Sequence, residues 1–130
     1  MKAIIVDDSV LIRGCLADIL SDIPSVEIIG EESEAHQAIA SIRLKRPDLV
    51  ILDIRLTGGS GIDVLREIKH DNPDIKVIVF TGYPFPQYQR RCIEEGADEF
   101  LDKSNGFERI RPIVQSFSRE ARRQCGRDEA

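Results

Sequence analysis

Three acids, a hydroxyl and a lysine stand at the ends of apolar runs in this chain. Ala3-Ile4-Ile5-Val6 leads straight into Asp7-Asp8-Ser9, and Leu49-Val50-Ile51-Leu52 ends in Asp53. Val77-Ile78-Val79-Phe80 ends in Thr81, and a short run ending at Leu101 leads into Asp102-Lys103. Carboxylates gathered in one place repel each other unless a cation neutralises them. Oxygen-only ligands suit Mg²⁺, which keeps several waters and takes one or two carboxylates. A further carboxylate is a nucleophile, a threonine hydroxyl donates to a phosphoryl oxygen, and a lysine is a point cation for phosphate. Together these are the requirements of phosphoryl transfer. Singly they mean little, since a strand-end acid often only caps the next helix and every domain has strand-end Thr and Lys. The reading rests on whether the fold brings them together.

Five strand-helix units are legible. Ala3–Val6 is followed by Ile12, Cys15, Leu16, Ile19, Leu20 and Ile23 at helical spacing, with Ser9 placed to cap. Val26–Gly30 is a β-rich run, and Ala35, Ala38, Ile39 and Ile42 mark a second helix ended by Pro47. Leu49–Leu52 has the continuous apolar character of a buried parallel strand. After the Gly58-Gly59-Ser60-Gly61 loop, Ser60 with Asp63 forms a capping-box pattern ahead of Ile62, Leu65 and Ile68. Lys76–Thr81 is the fourth strand. Tyr88, Cys92 and Ile93 mark a short helix, stopped by Gly96. Ala97–Leu101 is the fifth strand, and Ile110, Ile113, Val114 and Phe117 are the last helical face. Pro112 falls inside that pattern, so the last helix either starts near Arg111 or is kinked.

Alternating β and α elements predict an α/β fold: a doubly wound five-stranded parallel sheet, strand order 2-1-3-4-5, flavodoxin-like. Ligands then bind at the carboxyl ends of the strands, in the crevice between strands 1 and 3. Asp7, Asp8 and Asp53 all end there.

With 130 residues, one domain is expected. The 42% hydrophobic and 32% charged composition excludes disorder, and no apolar run approaches the length of a membrane span. A net charge of -5 argues against a nucleic-acid surface over the whole domain. No signal peptide is visible, so a cytoplasmic location is expected. Cys15, Cys92 and Cys125 are odd in number and widely spaced, so neither a disulfide framework nor a zinc site is expected. Cys15 and Cys92 fall on helical faces, as core or boundary residues, and Cys125 in a polar tail. His36 and His70 lack ligand-spaced partners.

The ordered set Ile5-Val6-Asp7-Asp8-Ser9, Pro47-Asp48-Leu49-Val50-Ile51-Leu52-Asp53, Gly59-Ser60-Gly61-Ile62, Phe80-Thr81-Gly82 and Gly96-Ala97-Asp98-Glu99-Phe100-Leu101-Asp102-Lys103-Ser104 resembles the receiver domains of two-component response regulators. The resemblance covers residues 2 to about 120, so a receiver domain is expected over 1–120 and a basic polar tail over 121–130. It implies that Asp53 is the phosphoacceptor and also a Mg²⁺ ligand, with Asp8 holding the ion directly, Asp7 largely through water, and the backbone carbonyl of Arg55 as the remaining protein ligand. It implies that Thr81 and Lys103 contact the phosphoryl group, and that Phe100 takes the place of the family's switch aromatic. No key residue is missing, which excludes a non-phosphorylated pseudo-receiver. Ser104 follows the lysine where many receivers have Pro. Lys-Ser is similar to the branch whose full-length members often carry a helix-turn-helix output domain. Phe100 lacks the hydroxyl of the more common Tyr.

The implied donor is a sensor histidine kinase or a histidine phosphotransfer protein. The implied output is a change in the face formed by the fourth helix, fifth strand and fifth helix, read by a downstream protein or by a second copy. Pro84 and Pro86 stiffen the start of that helix, and Gln87, Arg90 and Arg91 supply polar contacts. The chain is expected to be no turnover enzyme, only a phosphoacceptor that promotes its own phosphorylation and dephosphorylation. Alternatives are the receiver part of a DNA-binding transcriptional regulator, with no direct nucleic-acid contact by this domain, or a phosphate sink in a relay. Arg55 and Tyr83, each two residues past a strand-end site residue, are placed to flank the mouth and shield the phosphoryl group from water. Arg119, Arg122, Arg123 and Arg127, opposed only by Glu120, read as a solvated helix end or as a docking patch.

Other sites fit worse. A dehalogenase-type phosphatase needs a second acid two residues after its nucleophile, where Arg55 stands. The glycine loop at 58–61 lacks the lysine of a phosphate-binding P-loop. A flavin module would put its phosphate loop after the first strand, where Asp7-Asp8 would repel phosphate unless a metal intervenes.

Overall fold

Short β-branched runs separated by helical periods give, in the computed structural model, alternating strands and helices from end to end. The structure describes residues 1–129, with side chains through Arg123; the Cys125 and Arg127 side chains singled out above lie outside the described residues. In chain order the elements are β1 (Lys2–Val6), α1 (Val10–Ser21), β2 (Glu27–Glu32), α2 (Ala35–Lys45), β3 (Leu49–Leu52), β4 (Arg55–Leu56), β5 (Gly59–Ser60), α3 (Gly61–Asp71), β6 (Lys76–Thr81), α4 (Pro86–Glu94), β7 (Glu99–Asp102) and α5 (Phe107–Glu129). Five of the strands form one parallel sheet in the order β2-β1-β3-β6-β7. This is the expected 2-1-3-4-5 order. The remaining two, β4 and β5, pair antiparallel in a small ribbon just after Asp53.

Both faces of the sheet are buried, and the strand period of two divides the core. Ile4, Val6, Val50, Leu52, Val77 and Val79 pack with Ala38, Ile42, Leu65, Ile68 and Cys92 of α2, α3 and α4. Ala3, Ile5, Leu49, Ile51, Ile78 and Phe80 pack with Leu16, Leu20, Ile110 and Val114 of α1 and α5. The inner strands β1, β3 and β6 therefore read as nearly unbroken hydrophobicity, because both sets of alternate positions meet helices.

Several local expectations change. β2 runs on to Glu32, since Glu31 and Glu32 pair with Ile5 and Val6; an edge strand tolerates the acids that hid this extension. Cys15 is exposed, on the outer side of α1, while Cys92 is buried. Ile93 is also exposed, so the inner face of α4 narrows to Tyr88 and Cys92. Ser60 caps α3 by accepting from Ile62 N, but Asp63 pairs with Arg66 instead of closing a capping box. Helix α5 begins at Phe107, not at Arg111, and Pro112 sits within it. It continues as one helix through Glu129, across the positions assigned to the tail. Among the described residues no helix is long and apolar enough to cross a membrane.

Candidate functional site

The acids meet because β1 and β3 are sheet neighbours in a register that pairs Val6 with Leu52. Asp7 and Asp53 are each the next residue, and Asp53 N donates to Val6 O at 3.0 Å. Both side chains are nearly closed to solvent, at 2% and 5% exposure, whereas Asp8 is exposed. One carboxylate oxygen from each of Asp7, Asp8 and Asp53 lies within 4.8 Å of the others.

Two of the three carboxylates are held. Asp7 Oδ1 accepts from Ser9 N at 2.9 Å, and Asp53 Oδ1 accepts from Ile54 N at 2.7 Å. Lys103 then bridges them, with Nζ 2.8 Å from Asp7 Oδ2 and 2.9 Å from Asp53 Oδ2. Its backbone N donates to Thr81 O, which fixes the segment leaving β7 beside the end of β6. Burial pushes the Asp53 carboxyl above its ordinary pKa, with the Asp7 charge adding to the rise and Lys103 opposing it. Burial works against the Lys103 charge, but its bonds to Asp7 and Asp53 outweigh this and raise its pKa. One ammonium thus faces three carboxylates, an arrangement that still favours a further cation.

Tight backbone approach supports the site. Gly61 N donates to Ile54 O at 2.6 Å, and a Cβ on Gly61 would fall 1.8 Å from the Asp53 carbonyl oxygen. Gly58, at φ +78°, turns the chain between β4 and β5. The glycine segment therefore shapes the loop behind Asp53.

Thr81 is fully buried, and its Oγ1 accepts from Tyr83 N at 3.0 Å, which leaves the hydroxyl proton to donate. Phe100 pairs in register with Val79 of β6, two residues before Thr81 and on the same face of the sheet. Its ring is half-buried against the core shared with Tyr88 and Cys92 of α4. Arg55 and Tyr83 come together: the Arg55 guanidinium carbon lies 3.9 Å from the centre of the Tyr83 ring. Such a cation–π stack is worth about 0.5–1 kcal/mol at an exposed position. His36 and His70 are exposed on α2 and α3.

One site neighbour escaped sequence reasoning. Arg13 of α1 donates through a guanidinium nitrogen to the Asp7 carbonyl oxygen at 2.5 Å. A cation within a helix that begins at an acidic strand end was the available signal.

A profile of the response regulator receiver domain matches residues 3–115. The chain is 31% identical over 114 residues to the DNA-binding transcriptional activator DevR/DosR of Mycobacterium tuberculosis, covering 87% of this chain and 52% of that protein. It is 29% identical to the response regulator GacA of Pseudomonas aeruginosa, covering 91% of this chain and 56% of that one. The chain thus spans about half the length of these curated relatives. Among solved structures, the receiver domain of a LuxO repressor protein from Vibrio parahaemolyticus superposes with a TM-score of 0.84 at 27% identity, over 95% of this chain and 93% of that one. Acids from two adjacent strand ends, a lysine bridging them, the sheet order and the profile all agree: this chain belongs to the response regulator receiver domain family.

Proposed function

We propose that this receiver takes a phosphoryl group onto Asp53 from a phosphohistidine of a sensor kinase or phosphotransfer protein, with Mg²⁺ as cofactor. The observation that carries the reading is the cluster of Asp7, Asp8 and Asp53, with oxygens within 4.8 Å and a single lysine against them. An all-oxygen donor set with excess negative charge fits a hard divalent cation. Asp8, Asp7 and the Arg55 backbone carbonyl would hold it beside Asp53. When bound, the ion would neutralise the acids and the charge on the phosphoryl oxygens.

A carboxylate oxygen of Asp53 forms the new P–O bond while the P–N bond of the donor breaks, and the electron pair leaves on the imidazole nitrogen. Lys103, freed from the Asp53 carboxylate, meets one phosphoryl oxygen, and the Thr81 hydroxyl donates to another. Arg55 stacked on Tyr83 limits the approach of water to the acyl phosphate. The chain promotes its own phosphorylation and dephosphorylation and is not a turnover enzyme. Intact mass after acetyl phosphate and Mg²⁺ should show one added phosphate, absent in Asp53→Asn and in EDTA. Unchanged labelling of Asp53→Asn would sink the assignment.

The output follows the same face of the sheet. Inward movement of Thr81 toward the phosphoryl group vacates space that Phe100 can enter. The ring is already half-buried, so burying the rest would favour the shifted state by about 1 kcal/mol before strain is counted. That biases the surface of α4, β7 and α5, where Phe85 and Ile93 are exposed beside Arg90 and Arg91. A downstream protein or a second copy would read that surface. The DNA-binding function named for DevR/DosR favours a variant of this reading, in which the receiver controls a DNA-binding output domain. Amide shifts on adding beryllofluoride and Mg²⁺ should reach α4 and β7. Changes confined to the loops around Asp53 would instead make the chain a phosphate sink.

A further inference from the structure

Of the three clustered acids, Asp8 alone has no hydrogen bond recorded to its carboxylate among the described residues, and it is exposed. Its place therefore depends on its backbone. Asp7 N donates to Glu32 O at 3.0 Å and Ser9 N to Asp7 Oδ1 at 2.9 Å, which leaves the carbonyl of the Asp7–Asp8 peptide as the group still to be held. Arg13, one turn into α1, donates to the carbonyl oxygen of the Asp7–Asp8 peptide at 2.5 Å. The same guanidinium is anchored from β2, with Nε 3.5 Å from Glu31 Oε1. Its side chain is only 17% exposed, so the guanidinium is held and not free to swing into solvent. The planar fork of arginine can serve both partners at once, and the single ammonium of lysine cannot reproduce that geometry.

We propose that Arg13 is a positioning residue for the divalent cation: it sets the plane of the Asp7–Asp8 peptide and so aims the one carboxylate that has no other support. The inference rests on the metal reading above and deepens it. Without that bond the peptide can tilt between its two flanking hydrogen bonds and shift Asp8 within the cluster, and partners of this outer kind typically carry about 10-fold in metal affinity. The charge of Arg13 works in the opposite direction, since a cation near the site repels a divalent ion. Geometry and charge thus predict different results for the same substitutions.

The test is Mn²⁺ binding to the unphosphorylated chain, read as loss of the free-ion EPR signal well below the unfolding temperature. Arg13→Lys keeps the charge and loses the fork, and should weaken Mn²⁺ binding by about 5- to 10-fold. Glu31→Asp keeps the charge but draws the anchor back by one methylene, and should weaken it by about 2- to 3-fold, which serves if Arg13→Lys does not fold. Arg13→Lys binding like wild type, with only its unfolding temperature lowered, would reduce Arg13 to a structural tie. Arg13→Met binding more tightly than wild type would show that charge outweighs aim, and would overturn the proposal. A wild-type chain that binds no Mn²⁺ would instead refute the metal site itself.

Discussion

Both ends of the sheet carry a lysine–carboxylate cluster, one balanced in charge and the other with acids in excess. At the carboxyl end, Lys103 alone faces Asp7, Asp53 and the nearby Asp8. At the amino end two lysines face two acids: Lys69 Nζ lies 2.9 Å from Asp98 Oδ2, and Lys76 Nζ lies 3.8 Å from Asp98 Oδ1 and 3.6 Å from Glu120 Oε2. Asp98 Oδ2 also accepts from Val77 N at 2.8 Å, which ties the start of β7 to β6. The lower cluster has its charge and hydrogen bonds in order and holds strands in place. The upper one gathers more negative charge than its lysine can answer, and two of its acids are nearly closed to water. A surplus of buried charge of one sign favours a balancing cation, which is the feature the proposed function uses.

The largest expected effect comes from removing the two lysines in turn. Lys103→Met should slow phosphoryl transfer by about 100-fold, because it removes the cation that meets the phosphoryl charge. Leaving Asp7 and Asp53 buried and unpaired should cost about 3 kcal/mol. Added Mg²⁺ should restore more stability to this variant than it adds to wild type, since it supplies the missing charge. Lys69→Met should cost about 1 kcal/mol, as Asp98 keeps Val77 N and Lys76, with no metal rescue and normal transfer. Thermal melts with and without Mg²⁺, beside labelling rates, check both. Equal metal rescue at the two lysines would erase the distinction.

A glycine at each end sharpens it next. Gly61→Ala drives a Cβ into the Asp53 backbone and should cost about 3 kcal/mol while slowing transfer. Gly96, at φ +99° between α4 and β7, should cost about 1–2 kcal/mol as alanine and leave transfer intact. Denaturant midpoints and labelling rates separate the two.

Smaller still is the response to pH. Burial raises the Asp53 pKa above its ordinary 3.8, so its ionised form disfavours the metal-free fold. Its contribution to stability is fully present below pH 3.8 and is lost as pH rises through the raised folded value. Without metal, Asp53→Asn should therefore melt roughly 3 °C higher than wild type at pH 7. The gain should shrink as pH falls through the folded pKa. A gain that persisted at pH 3 would come from packing and not from charge. The smallest effect is at the mouth. Arg55→Ala with Tyr83→Ala should shorten the acyl-phosphate lifetime by about two- to threefold, by opening the stack to water. A lifetime equal to wild type would show the pair to be ordinary loop side chains.

The strand ends and their chemistry were legible because they depend on short-range pattern. Runs such as Leu49–Leu52 are buried on both faces and so read as unbroken apolar stretches, and the acid that ends each run is visible at once. With a parallel sheet inferred from alternation, handedness and the switch point place Asp7, Asp8 and Asp53 in one crevice. What pattern alone misjudged lay where solvent or a distant partner decides. Cys15 and Ile93 have the right helical spacing, yet face outward because the packed stripes of α1 and α4 are narrower than the apolar count suggests. Asp63 turned to Arg66 because a neighbouring cation competes with the cap. The stacking of Arg55 on Tyr83 joins β4 to the loop after β6, far apart in sequence, and the Arg13 bond to the Asp7 carbonyl depends on how α1 leaves β1. The sequence by itself determined which residues the proposed chemistry would use and which strand ends they occupy, since residue type and periodicity are local. Only the tertiary structure decided which acids are held, which one is left to its backbone, and how one lysine is shared between two, because those are distances across the sheet.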